Sequence, residues 1–472
     1  MKEDKRNFRD EDIVGAVNKF KRSLISGSTK YFDVEEFEGI VEQLLEEGDL
    51  QGSEIAAKQG IQIHPNAVPL HLKYAQVLIN KGKYAKSLRY LQFAEKVDSN
   101  NPDVHLLKGS ARMVMGNEPD ALLSFKKAIK YAGKEVDEIL YSISSSYVQV
   151  GEITKAIYYL EQTIKANPKN EAALNDLGFF YDQMGMYKKS IKYYNKYIDL
   201  DPFNDAVWFN LGTVFNKTDK HKKAIEAYEY AIVLNDDFHM ALFNIGNALA
   251  NAGKFEKAIE KYKEFIEIEP DNSDAYCYIG ECFLNLDNHT KSEFYYRKAI
   301  KINKKNDTAW FGIGLILWIN KNFEESIAYV NKAIKIDNQN SEYWLTLARV
   351  NSDSGNKEIA LKSLKQAARF DAENTEIWLT WVELYLKYNE PKNAIRIIKK
   401  GIKNNTDSIL KYRLVVLLLE SKKEKDAFEM LIIAMEQEFE QINYLFDIYP
   451  KSLKNKKIKK VVDDFRRENN ME

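Results

Sequence analysis

The sequence predicts an all-α fold built as a linear stack of about twelve helical hairpins. Three observations carry that prediction. Glycine recurs at 178, 212, 246, 280 and 314, a step of 34 residues each time. A small residue keeps the same step along the chain, from Ser53, Ser87, Ala121 and Ala156 through Ser190, Ala224, Ala258 and Ser292 to Ser326, Ala360, Ala394 and Ala427, apart from two one-residue slips. Aromatic and apolar positions recur in the same register. A fixed period of this length marks a supersecondary unit that buries its apolar face against its neighbours. The 472 residues therefore read as one array, in place of the roughly three globular domains that length alone would suggest.

Ahead of the array, Asp10 to Ser26 fits one helix, with Ile13, Val17, Phe20 and Leu24 on a single stripe. Residues 1–33 are thus expected to cap the first repeat. With the recurrent glycine placed at position 8, repeats begin at Val34, Val68, Pro102, Asp137, Glu171, Asp205, His239, Ser273, Asp307, Ser341, Thr375 and Ser408, and the array takes in residues 34–440. Two steps depart from the period: Pro102 to Asp137 is 35 and Thr375 to Ser408 is 33. Each slip is expected in an inter-helix turn, where a residue more or less costs little.

The chemistry of each position has a mechanical reason. Glycine inside a helix costs about 1 kcal/mol against alanine, so position 8 needs a compensating close approach of the paired helix, completed by the small residue at position 20. Large residues at position 4 (Trp208, Trp310, Trp344, Trp378) and position 24 (Phe125, Tyr194, Tyr228, Tyr262, Tyr296) are expected to fill the space between successive hairpins. Gly48, Gly82, Gly116, Gly151, Gly185, Gly253 and Gly355, with Asp219, Asp287 and Asn389, hold position 15 and suit a left-handed turn between the two helices. At the far end, Leu453, Ile458, Val461, Val462 and Phe465 mark a capping helix within residues 441–472. The nearby Lys451, Lys454, Lys456, Lys457, Lys459 and Lys460 read as its solvated face.

These residues resemble the tetratricopeptide repeat pattern W-x2-L-G-x2-Y, A-x3-F, A, P. The fifth repeat matches best, through Leu174, Leu177, Gly178, Tyr181, Ser190, Tyr194 and Pro202. The outer repeats depart: His71 and His105 replace the aromatic at position 4, Lys108 replaces leucine at position 7, and Lys411 interrupts the last repeat. The resemblance implies a right-handed α-solenoid superhelix with the first helix of each repeat on the concave wall. It also implies a non-enzymatic scaffold that binds protein partners. In that geometry positions 2, 5, 6, 9, 12 and 13 look into the groove. Asn175, Phe209, Phe243 and Phe311 then share the wall with Asp176, Asn210, Asn244 and Tyr278, and Asn216, Asn247, Asn251 and Asn285 extend it. Asparagine offers a donor and an acceptor, which suits the backbone of an extended peptide. Position 5 carries no Lys or Arg, so the family's mode of gripping a C-terminal carboxylate is not expected.

Bulk composition excludes several classes. Sixty-nine basic residues against 70 acidic leave a net charge of −1, with no field to gather nucleic acid or an anionic membrane. Cys277 and Cys282, five apart on one helix, do not face each other for a disulfide. The charged start of the chain lacks the apolar core of a signal peptide, and no run is long enough for a membrane span, so a cytoplasmic protein is expected. No phosphate-cradling loop, His-Glu-x-x-His or Gly-x-Ser-x-Gly is present, so no enzyme, cofactor or metal is expected. His71 and His105 read as packing residues. Two other readings stand beside the scaffold. Trp378, Trp381 and Tyr385 are similar to the aromatic-rich half-repeats of RNA-processing helical proteins. A recruitment arm for an enzyme on another chain fits equally. The sequence does not set the oligomeric state.

Overall fold

The computed structural model describes residues 2–26 and 30–469, with residues 2–12 by backbone alone. Among these residues there are 27 α-helices, three short 3-10 turns and no strand. Each repeat contributes a first helix at positions 1–13, such as Glu171–Gln183, and a second that starts at position 17, such as Phe255–Ile268. The chain forms two compact bodies, one reaching Asp237 and one beginning at Phe238.

Local chemistry sets the helix ends. In nine of the repeats an Asn or Asp immediately before position 1 accepts a backbone amide of the first turn. Losing such a cap costs about 1 kcal/mol. Position 15 is left-handed in the glycines named above and in Asp219, Asp287 and Asn389. Lys321 and Lys422 adopt the same conformation at φ of 61° and 59°, so the turn imposes its geometry where the residue does not favour it. The extra residue of the third repeat falls in the turn Gly133–Glu135, and the missing one shortens the link between Asn404 and Ser408.

The glycine at position 8 is explained within its own repeat. A Cβ on Gly178 would lie 2.5 Å from the Tyr194 ring, on Gly212 2.8 Å from Tyr228, and on Gly246 2.5 Å from Tyr262. The position-24 ring therefore lies on the glycine of its own hairpin in addition to the inter-hairpin filling expected of it, in which Phe125 packs on Tyr147 and Tyr262 on Tyr278 of the next repeat. Tyr296 does both, because its ring also leaves no room for a Cβ on Gly312 of the next repeat. The small residue at position 20 does more than make space. Ser190, Ser292 and Ser326 each donate a 2.7 Å hydrogen bond to the carbonyl of Gly178, Gly280 and Gly314.

Position 4 is a tether as well as a filler. Trp208, Trp310, Trp344 and Trp378 each donate their indole N–H over 2.9 Å to the carbonyl six residues earlier. His71 and His105 make the same bond through Nε2, at 2.8 Å, to Pro65 and Ser99. The imidazoles thus stand in for the indoles in packing and in hydrogen bonding.

The terminal helices are Lys2–Ser26 and Lys456–Glu468. Val17 and Phe20 are buried in one cluster with Phe37 and Ile40, whereas Leu24, on the expected stripe, is 38% exposed. At the other end Ile458, Val462 and Phe465 are buried against the last repeats, and Val461 packs there in part. Leu453 lies in a 3-10 turn before the helix and is exposed, so its side chain leaves the stripe that its sequence position suggested.

Candidate binding surfaces

Within each body, successive repeats meet through position 28 of one and position 7 of the next. Position 28 is isoleucine at 61, 129, 164, 198, 232, 266, 300, 334 and 402. Ile164 and Leu177 share one buried cluster, and Ile334 and Leu347 share another. Glu95 and Ala368 break this rule. Opposite Glu95 stands Lys108, and opposite Ala368 stands Trp381. Charge is matched with charge, and a small residue with a large one.

In the first of these joints Lys108 Nζ donates to Glu95 Oε2, with Lys127 at 3.7 Å and His105 Nδ1 at 3.8 Å from Oε1. Burial pushes the Glu95 carboxyl up, but the Lys108 hydrogen bond and charge, with His105 and Lys127, outweigh it and hold the group below its ordinary value.

The first helices of the N-terminal body carry Asn175, Asp176, Phe209, Asn210 and Asn216, all half-buried. The side-chain amides of Asn175 and Asn210 have no hydrogen-bond partner among the described residues. Asp176 accepts from the Tyr141 hydroxyl at 3.0 Å. Burial raises its carboxyl despite that bond, and burial beside Asp176 pushes the Tyr141 phenol up to about 12. Asn216 contacts His221 Nδ1 at 3.0 Å. Phe209 packs on Tyr228.

In the C-terminal body Phe243 is wedged among Tyr262, Phe265 and Tyr278, with ring centroids 5.3–5.6 Å away. Asn247 donates to Asn244 at 3.3 Å and accepts from the Tyr262 hydroxyl at 2.7 Å. Asn251 and Asn285 are exposed, and Tyr278 is 39% exposed. Phe311 is 7% exposed against Tyr343, so this ring is core. Cys277 and Cys282 are free and buried, and Cys277 donates to Asn306 Oδ1. Burial pushes the Cys282 thiol up to about 12, so neither packing nor acidity makes it a nucleophile.

The structure adds residues on the first helices that the sequence did not single out. A cleft of about 350 Å³ on the first helices of repeats two to four is lined by Gln76, Asn80, Ser110, Tyr141, Ser142 and Ser145, among others. All are uncharged hydrogen-bonding groups. The signal was legible as the run Ser142-Ile-Ser-Ser-Ser146, whose hydroxyls fall at positions 6, 8, 9 and 10. Trp378, Trp381 and Tyr385, by contrast, are 1%, 7% and 9% exposed and present no ring face on which a base could stack.

Family models described as tetratricopeptide repeat match residues 147–213, 206–238, 273–306 and 307–340, and one described as TPR repeat matches 246–287. The chain is a tetratricopeptide repeat protein. Proteins of this family are in general interaction scaffolds without catalysis of their own. Among solved structures, this tetratricopeptide repeat protein is similar to MamA, with 28% identity over 34% of this chain and 95% of MamA and a TM-score of 0.33. It is similar to yeast Tom70, with 14% identity over 85% and 93% of the two chains and a TM-score of 0.41. It is also similar to Pseudomonas aeruginosa pilF, with 20% identity over 45% and 97% and a TM-score of 0.38. No curated protein matches. Among the described residues of this tetratricopeptide repeat protein, no group of three or more His, Cys, Asp or Glu could hold a metal ion. No described helix is long and apolar enough to cross a membrane.

Proposed function

We propose that this protein is a non-enzymatic scaffold whose first-helix faces bind an extended segment of a protein partner. The supporting observations are the half-buried, unpaired amides of Asn175 and Asn210 and, on the same body, the uncharged hydroxyl and amide cleft of Gln76, Tyr141, Ser142 and Ser145. An extended backbone presents an N–H and a C=O at each residue and needs both paired. Side-chain amides and hydroxyls meet that need without regard to the ligand's side chains. Each bond contributes about 0.5–1.5 kcal/mol net, so several acting together reach the roughly −8 kcal/mol of micromolar binding. Asn244, Asn247, Asn251 and Asn285 supply the same chemistry on the C-terminal body, with Tyr278 as an apolar contact. In this arrangement residues 1–33 and 441–472 close the ends of the array. The protein acts in the cytoplasm, without cofactor or nucleic acid.

Replacing Asn210 and Asn244 together by alanine tests the reading. Both side chains are partly exposed, so circular dichroism should be unchanged. Affinity for a partner captured by the wild-type chain should fall about tenfold or more, the equivalent of two lost hydrogen bonds. Unchanged affinity would remove the groove from the account.

A further inference from the structure

The joint between repeats ten and eleven departs from the others in a way that creates a surface. In the fourth, fifth and eighth repeats the second helix presents a tyrosine at position 23 that stacks on the first helix of its own repeat. Tyr159 lies 5.3 Å from Tyr147, Tyr193 5.7 Å from Tyr181, and Tyr295 5.5 Å from Phe283, all within 20° of parallel. In the tenth repeat position 23 is Ser363, whose hydroxyl turns back to the Ile359 carbonyl. Position 28 is Ala368 in place of isoleucine. Small residues at position 23 occur in other repeats, but only the helix Lys357–Phe370 combines one with a small residue at position 28.

The result is a cleft of about 770 Å³ on the second-helix side, opening over Trp344, Leu347, Ile359, Ala368, Trp378 and Trp381. Its rim is basic. Lys362, Lys365 and Arg369 lie at i, i+3 and i+7 along one side of Lys357–Phe370, and Lys400 faces them from the next second helix. No carboxylate lines the cleft, and none of these four cations makes an ion pair among the described residues. Ile359 is 48% exposed at its edge.

We propose that this cleft docks an acidic peptide segment carrying one bulky apolar anchor, on a surface separate from the first-helix wall. Charge complementarity selects the flanks: four unpaired cations and no anion favour Asp and Glu. The apolar floor selects the anchor, since a large side chain gains by leaving water for it. The spacing selects a peptide. Lys362 to Arg369 spans about 10 Å of helix, the reach of roughly three extended residues and longer than a single anionic group can bridge. Nucleic acid fits the floor poorly, because Trp378 and Trp381 lie parallel, 5.9 Å apart, and are buried.

The test uses the full chain and a fluorescent synthetic peptide with one Phe flanked on both sides by Glu. The peptide should bind saturably at low salt and weaken as salt rises. Binding should fall about tenfold or more in the triple variant Lys362→Glu, Lys365→Glu, Arg369→Glu. These side chains are exposed, so the fold should be kept. Replacing the probe's Phe by Ala should cost a similar factor, and filling the cleft with Ala368→Ile should also block it. Absence of saturable binding, equal binding by the triple variant, or equal binding of a Lys-for-Glu probe would each overturn the proposal. So would poly-uridylate RNA binding that is lost in the same variant. The Asn210→Ala/Asn244→Ala protein should bind the probe as wild type, which separates this surface from the proposed groove.

Discussion

Two joints in this array occupy the same register and break the same rule in opposite ways. Between repeats two and three, isoleucine at position 28 gives way to Glu95, and the facing leucine to Lys108. Between repeats ten and eleven it gives way to Ala368, and the facing leucine to Trp381. The first joint is polar, with Glu95 held by Lys108, His105 and Lys127. The second is aromatic, with the Trp381 indole nitrogen buried and lacking a hydrogen-bond partner. A joint in a stacked array has to conserve volume and satisfy polarity locally, so one departure calls for a second directly opposite it. Neither departure changes the helix pairing of its neighbours, because each repeat contacts only the next.

The largest expected effect is at the aromatic joint. Trp381→Ala should cost about 3–5 kcal/mol, since it removes a large buried side chain from the joint. Hydrogen exchange should rise in the tenth and eleventh repeats and stay unchanged in repeats one to four. A uniform rise would mean that the joints are not independent. At the polar joint, Lys108→Leu leaves Glu95 without its main partner. The carboxylate keeps about a quarter of its side-chain surface exposed, so the loss should be about 1–3 kcal/mol, below the range for a fully buried pair. Adding Glu95→Ile restores the common joint and should recover that loss or exceed it. Failure of the double variant to recover, measured by chemical denaturation, would show that the charged pair has no simple apolar equivalent.

The smallest effect is a response to acid. Glu95 is held below its ordinary carboxylate value in the fold, so its stabilisation is complete above that ordinary range. It is lost as pH falls through the lower, folded value. Exchange in repeats two and three should therefore increase on acidification in the wild type more than in the Glu95→Ile/Lys108→Leu protein. An equal increase in both would assign the acid response to other carboxylates, such as Glu54, which Lys58 and Lys81 hold at about 2.

Much of the fold was legible because its determinants repeat. Position 15 was read as a left-handed turn from its Gly, Asp and Asn residues, and the turn forms even where Lys321 and Lys422 occupy it. The one-residue slips fall in turns, where the backbone tolerates them. The contact of the position-24 ring with the next repeat was legible, but its seat on the glycine of its own hairpin was not, because periodicity gives the register of a side chain but not every neighbour it leans on. His71 and His105 were legible as substitutes for tryptophan, but their bonds to Pro65 and Ser99 were not.

The candidate surfaces were legible only in part. Asn175 and Asn210 are half-exposed on the first-helix face, as their positions imply. Phe311 shares position 5 with Phe209 and Phe243 yet is core, because Tyr343 of the next repeat packs over it. The hydroxyl cleft around Tyr141 and the basic cleft around Lys365 each gather residues from three or more helices.

By itself, then, the sequence determined the hairpin, its period, its turns and the stacking of one repeat on the next, since each follows from residue size and backbone preference repeated in register. Tertiary structure alone decided which of those regular positions are covered and which open as clefts. That depends on the difference between neighbouring repeats, Ser363 for tyrosine and Ala368 for isoleucine, and a departure from the pattern acquires meaning only against the side chain it faces.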